Sequence, residues 1–96
     1  NGICIGDDVL IAANCTIAPV NHEYTNKLKK ISNQGHARSK GGVIIEDNVW
    51  IGSNTVILDG SHICSGTVIA ASSLVRGKCE SNRVFGGNPL REIKKI

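Results

Sequence analysis

Three histidines are the side chains best suited to proton transfer in this sequence, because the unperturbed histidine pKa of about 6.5 lies near working pH. His22 stands where a regular apolar pattern gives way to a polar stretch, so it would lie at the foot of a loop on a rigid scaffold. Polar residues placed in this way are often functional. His36 lies deep in the polar stretch and His62 in an outward position of the pattern, so we predict that both are solvated.

Trp50 is a candidate functional residue because of its residue type alone. It is the only tryptophan of a chain in which aromatic residues make up 3%. Tryptophan is enriched at interfaces because it combines a large apolar ring with a polar N–H group. We therefore predict that Trp50 lines a pocket or a subunit contact.

The scaffold is predicted from an aliphatic residue that returns at every sixth position. The series is Ile5, Ile11 and Ile17, then, after an interruption, Ile45, Ile51, Ile57, Ile63, Ile69 and Val75. Neither the helical period of 3.6 nor the strand period of 2 produces this spacing. Six residues is the period of hexapeptide β-helices.

The other positions of the hexad indicate how each coil is built. The third residue after most of these aliphatic positions is of a type that tolerates positive φ, as in Asp8, Asn14, Asn48, Asn54, Gly60 and Gly66. The next residue is small or β-branched. Three hexads would close a triangular coil, and each coil buries its aliphatic corners only against its neighbours. The predicted fold is an all-β, parallel β-helix.

The whole chain, residues 1–96, is predicted to form one domain. Residues 22–42 contain no hexad and carry five cations against one acid, so they are predicted to leave the coil as a loop. Insertions into repeats map to one face, which is often the binding face. Residues 81–96 lose the register and are predicted to cap the solenoid, with a short basic helix at 90–96.

The predicted core is small, since the hexads fill about three coils. A domain of this size buries a modest share of its surface, and its first coil would begin with an unpaired sheet edge. The sequence also contains no methionine. We expect an N-terminally truncated chain, a fragment, or a protein that is stabilised by its oligomer.

Composition argues against several classes of protein. The formal net charge of +3 gives no case for nucleic acid, and no apolar run approaches membrane-spanning length. The four cysteines form no C-x-x-C pair, and Cys15 and Cys79 occupy the small position of the hexad, which suits buried, reduced thiols. A cytoplasmic location is the prediction that fits best.

Three stretches resemble the hexapeptide-repeat acyltransferases, and most closely their xenobiotic and sugar O-acetyltransferase branch. They are Ile-Ala-Pro-Val-Asn-His22-Glu-Tyr, Val-Ile-Ile-Glu-Asp-Asn-Val-Trp50-Ile-Gly-Ser53 and Val-Phe-Gly-Gly-Asn-Pro89. The resemblance covers nearly the whole chain. It implies a left-handed β-helix, whereas the handedness rule for parallel crossovers would favour the right hand.

The resemblance implies transfer of an acetyl group from acetyl-CoA to a hydroxyl of a small-molecule or glycan acceptor, commonly a sugar. His22 matches the place of the family's general base, and Glu23 or a backbone carbonyl would fix its tautomer. Ser53 matches a serine at the reacting centre, where a hydroxyl would support the developing oxyanion. A turn serine of no consequence is the alternative for Ser53.

The resemblance also implies a homotrimer with coenzyme A on the outside of the coils, between two subunits. The positions that match cofactor contacts are, for the pantetheine, Trp50, Ala70 and Ala71 and, for the phosphates, Arg76, Lys78, Arg91 and Lys94. A solvated cap is the alternative for these cations.

The hexads are also compatible with functions other than O-acetyl transfer. The hexads also resemble the β-helical γ-class carbonic anhydrases, but the histidine spacings of 14 and 26 residues do not match the family's His-x-x-x-x-His element, so no metal site is predicted. An N-acetyltransferase for amino sugars and a non-catalytic, truncated β-helix trimer module remain open. Binding of coenzyme A would exclude the last of these.

Overall fold

The computed structural model describes residues 2–96, which form a prism with extents of 48 × 23 × 23 Å. Its strands are β1 (Ile3–Ile5), β2 (Leu10–Ile11), β3 (Thr16–Ala18), β4 (Val43–Ile45), β5 (Trp50–Ile51), β6 (Val56–Leu58), β7 (His62–Ile63), β8 (Val68–Ile69), β9 (Leu74–Val75), β10 (Lys78–Cys79), β11 (Arg83–Gly86) and β12 (Arg91–Lys95). A 3₁₀ turn lies at Ile31–Asn33, and no helix among these residues is long and apolar enough to cross a membrane.

The strands form three sheets, one on each face of the prism. Face A holds β1, β4, β7 and β10, face B holds β2, β5, β8, β11 and β12, and face C holds β3, β6 and β9. All neighbours pair in parallel except β12. Ile45 pairs with Ile63 eighteen residues later, which is one coil of three hexads. The predicted parallel β-helix is confirmed.

The sixth-position aliphatic residues form the core. From Ile45 to Val75 each of them is at most 1% exposed. The small positions between them are buried as well, and their hydroxyls find backbone acceptors; for example, Thr67 Oγ1 donates to Glu80 O over 3.0 Å. In the first coil Ile5 and Ile11 are 47% and 40% exposed, because that coil is stacked on one side only.

The turn positions adopt the left-handed backbone that the sequence predicts. Asp8, Asn14, Asn48 and Asn54 have φ between 56° and 61°, and Gly60 and Gly66 also have positive φ. Ser72 adopts the same left-handed conformation, with φ 59°, although serine is not a residue type that favours positive φ. The geometry of the coil therefore overrides local preference at that position.

The predicted helix at 90–96 is wrong, because these residues form strand β12. Strand β11 stacks in parallel on β8 and leaves its outer edge open. The chain then reverses through the turn at 87–90, and β12 pairs antiparallel with β11. A strand satisfies the free N–H and C=O groups of that edge, which a helix would leave unpaired.

Candidate functional site

A cleft of about 540 Å³ lies at the corner where face C gives way to face A, which we call the loop corner. Its lining includes His22, Tyr24, Lys40, Asp59 and Arg76. Strands β3, β6 and β9 all end here, so the residues that follow them come together at one corner. Because β6 and β9 pair in register, Arg76 of one coil lies next to the end of β6 in the coil before it.

His22 is exposed at the foot of the loop, as predicted, and it is paired with a second histidine. His22 and His36 form an antiparallel bridge, flanked by hydrogen bonds from Ala37 N to Asn21 O (2.7 Å) and from Glu23 N to Gly35 O (2.9 Å). The two imidazole centroids lie 5.1 Å apart with the rings tilted by 36°. His36 is exposed, as predicted, yet its ring also restricts the space available to His22.

Glu23 is used by the loop itself. Its Oε1 accepts hydrogen bonds from Thr25 Oγ1 (2.7 Å), Thr25 N (3.0 Å) and Tyr24 N (2.9 Å). These bonds, led by the Thr25 hydroxyl, hold the pKa of Glu23 below its usual value. Oε1 of Glu23 therefore stabilises the start of the loop. The side chain that contacts the His22 ring is that of His36.

Asp59 closes the loop at its other end. The side chain is 4% exposed, and its two oxygens accept from Lys40 N and Gly42 N, both over 2.8 Å. These bonds fix the far end of the loop beside the cleft. The sequence did not single out Asp59, because Asp7 and Asp47 occupy the same hexad position at another corner.

Ser53 lies at a different corner, between faces B and C, together with Ala70 and Ala71. Ser72 N donates to Ser53 O over 2.8 Å, and a Cβ on Gly52 would stand only 2.5 Å from Ala71 N, so glycine permits this close stacking. Arg91 joins the same corner because it pairs with Gly86, whose own Cβ position would meet Ala70.

The other predicted cofactor contacts are spread over two faces. Trp50 is 53% exposed on face B, where Val68 and Val84 lie in register between it and Lys94. Three strand spacings separate Trp50 from Lys94, or about 14 Å. Lys78 lies on face A, in register with His62.

Within one copy of the chain, the two predicted catalytic residues lie at opposite ends of face C. His22 and Arg76 share the loop corner, where the strands of face C end. Ser53 precedes β6 and lies where those strands begin. The groups that the resemblance places at one reacting centre do not meet within a single copy.

Comparison with known proteins identifies relatives of this chain. Residues 42–77 match the family model described as bacterial transferase hexapeptide (six repeats). The galactoside O-acetyltransferase of Escherichia coli (strain K12) is 39% identical over 98% of this chain and 44% of its own length. The structure of a galactoside acetyltransferase in complex with coenzyme A superposes with a TM-score of 0.86 at 37% identity, covering 98% of this chain and 45% of that one.

A second solved structure binds the acetylated cofactor. A hexapeptide-repeat acetyltransferase from Vibrio cholerae O1 biovar eltor, complexed with acetyl coenzyme A, superposes with a TM-score of 0.85 at 31% identity, covering 98% of this chain and 49% of that one. This chain belongs to the hexapeptide-repeat acyltransferase family, and its β-helix has the family's left hand. The chain spans about half the length of the curated relatives it matches.

Proposed function

We propose that this chain belongs to an enzyme that transfers an acetyl group from acetyl-CoA to a hydroxyl of a sugar or polysaccharide, with His22 as the general base. The observation that carries the proposal is the position of His22 in the cleft of the loop corner. Support also comes from the 39% identity to a galactoside O-acetyltransferase over nearly the whole chain.

The proposed reaction needs one base and one site for negative charge. The acceptor oxygen attacks the thioester carbonyl carbon while the His22 imidazole takes the hydroxyl proton. The tetrahedral intermediate then collapses, the carbon–sulfur bond breaks, and the departing coenzyme A thiolate takes the proton from His22. General-base catalysis of this kind contributes about 100- to 10,000-fold.

We propose that the site is completed in a homotrimer. Ser53 lies at the opposite end of face C from His22, so the Ser53 hydroxyl reaches the oxyanion only from a neighbouring copy. A cleft between subunits would also exclude water from both groups, which strengthens electrostatic stabilisation. The separation of the two residues within one copy supports an interfacial site.

The same arrangement suggests a path for the cofactor. Trp50 on face B and Ala70 and Ala71 at the corner beside Ser53 would line the pantetheine, and the neighbouring Arg91 and Lys94 would meet its phosphates. Arg76 and Lys78 lie away from this path in the same copy. They would reach a cofactor only across the subunit interface.

The test combines calorimetric titration of coenzyme A with acetyl transfer to sugars, amino sugars and a polysaccharide. We expect wild type to bind coenzyme A at micromolar to millimolar concentrations and to acetylate a hydroxyl. His22→Ala should lose about 100- to 10,000-fold in kcat with little change in cofactor affinity or melting temperature. Leu28→Ala, which alters a side chain of the same loop that is 96% exposed, is the control.

Each contrary result has a distinct meaning. Failure of wild type to bind coenzyme A would favour the non-catalytic module, and transfer to amines alone would favour the N-acetyltransferase. Full activity in His22→Ala would show that the base lies elsewhere. A monomer by analytical ultracentrifugation that is still fully active would refute the interfacial site.

A further inference from the structure

The third corner of the prism, between faces A and B, brings together three side chains of types that bind metals. Glu46 follows β4, His62 begins β7 and Cys64 follows β7. One donor atom from each of them lies within 4.8 Å of the other two. We call these three residues the A–B cluster. It lies away from both the loop corner and the corner of Ser53.

The register of the coils explains why the three residues meet. Because Ile45 pairs with Ile63, the residues that follow them, Glu46 and Cys64, lie on adjoining coils at the strand spacing of about 4.8 Å. His62 and Cys64 flank the fully buried Ile63, and alternate residues of an extended chain point to the same side. Two donors from one coil thus face a third from the coil beside it.

The donor groups are already oriented. His62 Nε2 and Glu46 Oε2 lie 2.5 Å apart, and Glu46 Oε1 accepts from Ser65 N (3.1 Å) and Ser65 Oγ (3.2 Å). These bonds, first among them the one from His62, hold the pKa of Glu46 below its usual value, so this group is a carboxylate at neutral pH. Ser65 therefore fixes one oxygen and leaves the other turned toward the imidazole.

Cys64 supplies a thiol that is 6% exposed and free of any disulfide. Burial and the nearby charge of Glu46 raise the pKa of the Cys64 thiol, and Glu80 adds to this while Lys78 opposes it. Without a cation the sulfur stays protonated at neutral pH. A bound metal ion reverses that preference, because a coordinating thiol loses its proton.

We propose that the A–B cluster binds one zinc ion, which joins two adjoining coils through Glu46, His62 and Cys64. Imidazole nitrogen, thiolate sulfur and carboxylate oxygen are the ligands that zinc takes, whereas magnesium and calcium prefer oxygen alone. The ion takes the place of the hydrogen bond between His62 Nε2 and Glu46 Oε2, with the proton of the neutral imidazole on Nδ1, and the thiol proton of Cys64 is released to solvent. Three protein ligands leave a fourth position for water.

The prediction that no metal site exists weighed the spacing of the histidines and the absence of a C-x-x-C pair separately, and it did not combine one histidine with one cysteine and a carboxylate. His62 is the only one of the three histidines in this cluster, and its partners are a carboxylate and a thiol from the A–B corner. Lys78 is the opposing cation beside the cluster, and Glu46 and Glu80 offset it. The local charge is therefore compatible with a divalent cation.

The test uses the full chain without a histidine tag, titrated with Co²⁺ and with Zn²⁺. We expect one Co²⁺ per chain, with near-ultraviolet charge-transfer absorption from thiolate to cobalt that is abolished by competing Zn²⁺. Zn²⁺ should raise the melting temperature, because it binds the folded state. Affinity should rise with pH, since binding requires deprotonation of the Cys64 thiol.

Four variants separate this site from adventitious binding. Cys64→Ser should abolish the thiolate absorption, whereas Cys4→Ser, which alters an exposed thiol, should retain it. Glu46→Gln, which keeps the shape of the side chain, serves as the second test if Cys64→Ser fails to fold. It should weaken Co²⁺ binding, and the thiolate absorption should then appear only at higher metal concentration. Ser65→Ala should weaken binding by about tenfold, because it removes a group that orients a ligand.

Two results would overturn the proposal. One is a wild-type chain whose Co²⁺ spectrum contains no thiolate absorption at saturating metal. The other is absorption that survives Cys64→Ser and disappears in Cys4→Ser, which would assign the metal to the exposed thiol. Neither result bears on the proposed roles of His22 and Ser53 in acetyl transfer, because these two residues lie at the other two corners.

Discussion

The coils between Ile45 and Glu80 and the loop at 22–42 are stabilised by different interactions. In the coils, stacked aliphatic side chains are excluded from water, and each coil repeats the same contacts. From 22 to 41 every residue is at least partly exposed, and hydrogen bonds such as those of Gln34 with Asn26 and Lys29 give the loop its shape. Stability therefore lies in the coils, whereas His22 is positioned by the loop.

The sharpest test of this division is a matched pair of truncations. Ile57→Ala removes a fully buried side chain from the core and should lower the free energy of unfolding by about 2–5 kcal/mol. Leu28→Ala shortens a loop side chain that is 96% exposed and should change the free energy of unfolding by less than about 0.5 kcal/mol. Denaturant titration of both variants measures the difference. Equal losses would show that the loop carries core-like packing.

A second prediction concerns the link between the two regions. Asp59→Asn replaces one of the two acceptor oxygens with an amide nitrogen that faces a backbone N–H, so we expect a loss of about 1–3 kcal/mol. Hydrogen exchange should speed up at 40–42, the segment that Asp59 holds, and remain slow at the core strands. Asp47→Asn, at the same hexad position of another corner, is the control. Unchanged exchange at 40–42 would contradict the proposed anchoring.

The regular region is also the one that the sequence predicted. Nine aliphatic residues recur at a fixed period, and the six from Ile45 to Val75 are buried. Asp, Asn or Gly at the third position locates most of the turns. Each coil meets the same neighbours, so a local pattern carries global information. The positions of Ser53, Ala70 and Ala71 on one corner follow from this register alone.

The structures of the segment at 90–96 and of the loop at 22–42 depend on contacts that the six-residue period does not predict. The segment at 90–96 has Leu90, Ile93 and Ile96 three residues apart, which suits a helix, but the open edge of β11 selected a strand. The pairing of His22 with His36 depends on how the loop folds back, and the anchoring by Asp59 depends on where it returns. Long-range hydrogen bonds decided these three features.

A third prediction asks whether the loop positions its catalytic candidate through His36. His36→Ala removes the ring 5.1 Å from His22, so the base should sample more orientations. We expect kcat to fall by about tenfold with little change in KM, less than the hundredfold that a misplacement of about 1 Å can cost. His36→Phe restores a ring and should recover most of the loss. If both variants fall equally, the imidazole itself is required.

The last and smallest expected effect tests the charge of the loop. Its five cations, Lys27, Lys29, Lys30, Arg38 and Lys40, are all exposed and face a single acid, so they should attract the phosphates of coenzyme A or an anionic glycan. Exposed charges are screened over about 10 Å at 0.1 M salt, so affinity should decrease several-fold from low to physiological ionic strength. The double variant Lys29→Ala/Lys30→Ala should show a shallower salt dependence in calorimetric titration than wild type. Leu28→Ala, a neutral change between the same cations, should keep the wild-type slope. An affinity independent of salt in all three proteins would mean that these cations are solvated and take no part in binding.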